Sequence, residues 1–166
     1  MALSPMAKEI ASSVATACIF AFLCSTPHLG FLLYLWFLFW LFWLPYSAYV
    51  IIRKPLRRKV QSIRVVLWLS AAFLVVCIHF VRHNFVRNTA DEIISKITSY
   101  AATHGQFPSS ISDVGLSEEE LRAKINMGHY WRDEAGKPLF IYAVTFEPYS
   151  VFSYDFEKRT WVYEAE

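Results

Sequence analysis

From Gly30 to Ile52 the chain runs for 23 residues without one charged side chain. As a helix rising 1.5 Å per residue this segment covers about 34 Å, enough to cross a hydrocarbon core of about 30 Å. Two further stretches share its character. Ile10–Thr26 is uncharged, and Val65–Val81 is uncharged apart from any proton on His79. Arg64 and Arg82 are placed to snorkel at the ends of the latter. Ser25-Thr26-Pro27-His28 supplies turn residues between the first two, which predicts a tight helical hairpin. Composition agrees: 55% of the 166 residues are hydrophobic and 18% charged, against about 25% charged in ordinary soluble domains. The expectation is a transmembrane region over 1–81, with spans at 10–26, 30–52 and 65–81, followed by a small domain over 82–166. No small-x-small cleavage pattern follows Lys8 and the first apolar stretch, and Leu23 spoils a lipoprotein box at Ala21-Phe22-Leu23-Cys24. The first segment is therefore expected to stay in the mature chain.

Charge divides at the same place. Residues 1–81 carry seven Lys/Arg against one Asp/Glu (net +6), and residues 82–166 carry nine against thirteen (net −4). Arg53, Lys54, Arg57, Arg58, Lys59 and Arg64 crowd a short loop over 53–64, which the positive-inside rule holds in the cytoplasm. The domain after Val81 then lies outside. It contains no Asn-x-Ser/Thr sequon, a pattern compatible with a bacterial inner (plasma) membrane protein of several passes with its C-terminal domain in the periplasm. The basic residues sit between spans rather than on a folded face, which argues against nucleic acid as a partner. No Asp, Glu, Lys or Arg falls inside a span, which argues against an ion pump or a proton-coupled transporter. Cys18, Cys24 and Cys77 all fall inside spans, so no disulfide is expected in the outer domain. The middle span is rich in aromatic residues. Trp36, Trp40 and Trp43 sit near mid-depth, where they serve as lipid-facing bulk or as a docking face for another membrane helix.

In the outer domain Ile93, Ile94, Ile97, Tyr100 and Ala101 recur at helical spacing until Gly105 and Pro108 end the pattern, so the third span is expected to run on into an amphipathic helix. Gln106 to Gly115 reads as a connector, and Ser117-Glu118-Glu119-Glu120 as a capping box on a short helix ending near Ile125. From Tyr130 the pattern becomes short strands: Tyr130-Trp131, Leu139–Thr145, Tyr149–Phe156 and Thr160–Tyr163. Asp133–Lys137 and Glu157-Lys158-Arg159 provide turns. The connections are too short for crossovers, so an antiparallel meander is expected, packed on the Ile93/Ile97 stripe. The strands carry more aromatic residues than one core face needs, and Tyr142, Tyr154 and Trp161 are the candidate anchors for a protein partner.

Catalytic signatures are sparse. His79 and His83 are four apart and would share one helix face as metal ligands do, but no third ligand is near in sequence, so no metal is expected. Glu118–Glu120 suit a helix N-terminus better than paired acid–base work. Ser109, Ser110 and Ser112 lack a nucleophile-elbow pattern and a base. No phosphate loop or dinucleotide fingerprint occurs. The expectation is a non-enzymatic protein without a cofactor.

The stretch Ala90–Gly115, with Tyr100, Gly105, Phe107-Pro108, Ile111 and Val114-Gly115, resembles type IV pilins and type II secretion pseudopilins just after their stem helix. Gly136–Tyr142 and Tyr154-Asp155 are similar to their C-terminal sheet. The resemblance implies a pilin-like fold, a long helix packed on an antiparallel meander. It departs at Gly30-Phe31, which looks like a prepilin junction but has Leu35 where the family carries a glutamate, and in the basic loop and third span. Filament membership is therefore not expected. The architecture is also similar to membrane-bound immunity proteins that accompany type VI secretion toxins. The partners expected are the lipid bilayer and a protein: a membrane-acting toxin, which this chain would neutralise, or else subunits of an envelope secretion or pilus-type machine.

Overall fold

The computed structural model describes residues 4–133 and 135–165. The chain forms two units, Met1–His79 and Phe80–Glu166. The first contains α1 (Pro5–Ser25), α2 (Leu32–Arg53) and the leading part of α3 (Pro55–His104). All three helices are long and apolar enough to cross a membrane. Ser4 caps α1 by accepting the Ala7 N–H at 3.2 Å, with Pro5 at the first helical position, where no N–H is needed.

The expected basic loop over 53–64 is not a loop. α2 continues to Arg53 and α3 begins at Pro55, leaving Lys54 alone between them at φ −121° and ψ 82°. A residue before proline is pushed out of the α region, so the break falls at Lys54. The basic residues that follow are good helix formers and continue as helix. Hydropathy marks where lipid contact starts, not where the helix starts. Arg58 closes the corner by donating its Nε–H to the Ile51 carbonyl at 2.8 Å, satisfying an acceptor that the end of α2 leaves open.

Aromatic side chains bridge the three helices. Trp36 of α2 stacks on Phe20 of α1 with centroids 3.5 Å apart, and meets Trp68 of α3 edge-on at 4.8 Å. Two polar links accompany them. Gln61 donates to the Ser47 hydroxyl at 2.7 Å, which in turn donates to the Trp43 carbonyl at 2.7 Å. His79 Nε2 lies 2.7 Å from the Cys24 carbonyl in the last turn of α1. An oxygen acceptor there requires the ring nitrogen to donate, so His79 caps α1 from the side.

In the second unit α3 ends at His104, and Gly105 takes a φ of +73°, the left-handed value that glycine adopts without strain. The expected connector contains a 3-10 turn over Ile111–Val114, and α4 covers Glu118–Lys124. Strands β1 (His129–Arg132), β2 (Pro138–Ala143), β3 (Ser150–Asp155) and β4 (Thr160–Ala165) form an antiparallel meander in sequence order, as the short connections require. Glu134 of the expected Asp133–Lys137 turn lies outside the described residues. Ile93, Ile94 and Ile97 of α3 share one buried cluster with Ile111, Leu121, Ile125, Tyr130, Phe140 and Tyr142.

Three carboxylates close the local turns. The Ser109 hydroxyl, with the Ser110 and Ser109 N–H groups, holds Asp113 below the usual range. Glu120 is lowered first by the Ser117 N–H in a capping box, and Asp155 first by the Lys158 N–H. A lowered folded-state value binds protons later than the unfolded chain does. Stability from these groups is therefore complete above the unfolded values near pH 4 and lost as pH falls through the folded ones. Acid titration of the folded signal is expected to show this loss, and Asp113→Asn should flatten its slope. An unchanged slope would contradict the assignment.

Candidate functional site

Side chains alternate across a strand, so the sheet presents two faces of opposite parity. On β2, Pro138, Phe140 and Tyr142 are buried while Leu139, Ile141 and Ala143 are part-exposed. The register carries this parity across the sheet. Tyr142 pairs with Phe152 and Phe152 with Tyr163, while Tyr154 pairs with Trp161. The aromatic set therefore lies on the helix side, where Phe152, Tyr154 and Trp161 pack against the core cluster.

This placement takes Tyr142 away from the surface and leaves Tyr154 and Trp161 part-exposed. Tyr142 is 1% exposed, and burial raises its phenol above the usual range, opposed by Arg87. Its ring faces the helix, so it is not a surface residue. Trp161 is tied to α3 in two ways, through two residues that also pair with each other. Its indole N–H donates to Asp91 at 2.7 Å, the Arg87 guanidinium lies 4.4 Å from its ring centroid, and Arg87 reaches Asp91 at 3.6 Å. Tyr154 meets Trp161 and Phe156 edge-on at 5.1 and 4.9 Å. Trp36 is buried among Phe20, Trp40 and Trp68, while Trp43 is half-buried against Phe39. Trp40 is half-buried too.

The face that the sequence reading missed is the other one. Trp131 stands opposite Leu139, Ala143 opposite Val151, and Ile141 opposite Ser153, which pairs in turn with Val162. All are part-exposed or exposed, with Val162 at 40%. The result is an apolar strip across four strands, with Ser153 and Glu164 hydrogen-bonded to each other at its β3–β4 side. β4 is also an edge strand with Tyr163 half exposed, and Tyr149 in the preceding turn is 74% exposed. Tyr163 donates to the Glu147 carboxylate, and its oxygen lies 3.0 Å from the Ser150 hydroxyl. The signal for this face was the parity itself: once the aromatic set fills the core, Leu139 and Ile141 must point away.

Among the described residues no three His, Cys, Asp or Glu side chains converge as a metal site would require. His79 serves α1, and the His83 ring lies 5.6 Å from that of Phe152. His129 stands 3.5 Å from Glu118, and His104 bonds within its own helix to the Tyr100 carbonyl. Tyr130 donates to the Pro108 carbonyl at 2.7 Å. Burial pushes its phenol up to about 12, so it remains protonated and works as a clamp on the connector. The cysteines Cys18, Cys24 and Cys77 are free thiols. No family model, curated protein or solved structure matches this chain.

Proposed function

We propose that this chain is a non-enzymatic inner-membrane protein that binds a protein partner through its periplasmic α+β domain. In its most concrete form it is an immunity protein that neutralises a membrane-acting interbacterial toxin. The observation that carries this reading is the apolar strip of Trp131, Leu139, Ile141 and Val151 on the sheet face opposite the core. Exposed apolar surface of that kind, rimmed by polar groups, suits a protein interface. The three apolar helices supply the anchor, and Arg53, Lys54, Arg57, Arg58, Lys59 and Arg64 around the α2–α3 corner favour a cytoplasmic position for that corner. The pilin-like reading of the domain belongs to the same proposal. Its support is a long helix followed by a meander in sequence order.

Expression in sensitive cells is expected to protect them against one toxin. Ile141→Lys combined with Val151→Lys should abolish protection while the domain stays folded, because both side chains point away from the core. Protection that survives this double change would reject the sheet face. A stable high-mass assembly in gentle detergent, formed without any toxin, would instead identify a structural subunit of an envelope machine.

A further inference from the structure

The helical unit contains a cleft of about 310 Å³ at the α2–α3 corner, walled by residues of all three helices. Its apolar wall includes Tyr46, Val50 and Val60, and its charged groups are Glu9, Arg57 and Arg64. Glu9 is the only carboxylate among residues 1–81. No ion pair joins it to either arginine, although opposite charges that share a cleft ordinarily close on one another. The Nε of Arg64 is shielded from solvent and has no hydrogen-bond partner. Arg64 as a whole is part-buried and lines the cleft, so its remaining guanidinium donors are the ones that can meet an oxygen ligand there.

We infer that this cleft binds the headgroup of a phosphatidylethanolamine molecule in the bilayer, with the phosphate on Arg64 and Arg57 and the ammonium on Glu9. A purely anionic headgroup would leave the Glu9 carboxylate opposed to it, whereas a zwitterion satisfies both signs at once. Guanidinium groups suit phosphate oxygens because their donors form a planar fork. A primary ammonium has three donors for a carboxylate, and a choline headgroup has none. The apolar wall gives the acyl chains a surface that continues into lipid. The volume is in the lower range of ligand sites, which suits a headgroup rather than a whole lipid. The inference uses only insertion of the helical unit in a bilayer and stands whether or not the sheet face binds a protein.

The test is lipid retention by the full chain, reconstituted in phosphatidylcholine bilayers doped with equal amounts of phosphatidylethanolamine and phosphatidylglycerol, then extracted gently and weighed with bound lipid by native mass spectrometry. Phosphatidylethanolamine is expected to be enriched about tenfold over phosphatidylcholine, the effect of one charge-assisted hydrogen bond. Glu9→Gln, an exposed position, should remove that preference while phospholipid is still retained. Arg57→Ala with Arg64→Ala should reduce retention of every phospholipid, with the helical content checked by circular dichroism. Preference for phosphatidylglycerol, an unchanged preference in Glu9→Gln, or no enrichment would each overturn the proposal. Displacement of the lipid by soluble phosphoethanolamine at matched concentration would overturn the bilayer as its source.

Discussion

Phe140→Ala is expected to destabilise the α+β unit severely while leaving the helical unit intact. Phe140 is fully buried at the centre of β2, opposite Tyr130 in the register and edge-on to Trp161 with centroids 6.0 Å apart. Removing a buried phenyl ring costs about 3–5 kcal/mol, the lost transfer energy plus the cavity left behind. A domain of this size holds roughly 4–13 kcal/mol in total, from about 0.05–0.15 kcal/mol per residue. The change therefore consumes a large share of the stability. Hydrogen exchange in the full chain should show loss of protection in β2 and β3. Leu139→Ala, one residue away on the part-exposed face, should cost a fraction as much. Equal losses from the two changes would mean that the parity of the sheet is misassigned.

Trp36→Ala is expected to loosen the helical unit by about 3 kcal/mol. In lipid the apolar effect between helices is small, so helix association rests on van der Waals contact. Trp36 is 8% exposed and joins α1 to α3 through Phe20 and Trp68. Phe42 lies in the same aromatic helix but is 80% exposed, so Phe42→Ala should leave stability within about 0.5 kcal/mol. Unfolding in mixed micelles with increasing dodecyl sulfate separates the two variants. A matching loss in both would return Trp36 to the lipid-facing surface.

The same contrast shows how far the residues alone could be read. The three apolar helices, the helix stop at Gly105, the capping box at Ser117 and the four-strand meander follow from local rules: uncharged length, a left-handed glycine, an N-cap with glutamate three residues on, and short turns between β-rich runs. Each of these signals acts within a few residues, so each is visible along a single chain. The corner at Lys54 was less legible. A run of Arg and Lys reads as loop by polarity, while its helix propensity and the placement of Pro55 make it the start of α3.

The candidate face was the least legible part, because alternation along a strand reveals two faces without saying which one meets the helix. Aromatic content pointed to Tyr142, Tyr154 and Trp161 as surface anchors, and the same content fits a core equally well. Sequence by itself determined three helices apolar enough to cross a membrane, the charge asymmetry of the chain and the order of strands, all consequences of hydropathy and turn chemistry over short windows. Only the tertiary structure decided that the aromatic set faces α3, that Leu139 and Ile141 face away, and that Glu9, Arg57 and Arg64 share one cleft. These depend on contacts between residues far apart in the chain, whose energies are set by packing and register rather than by any local pattern.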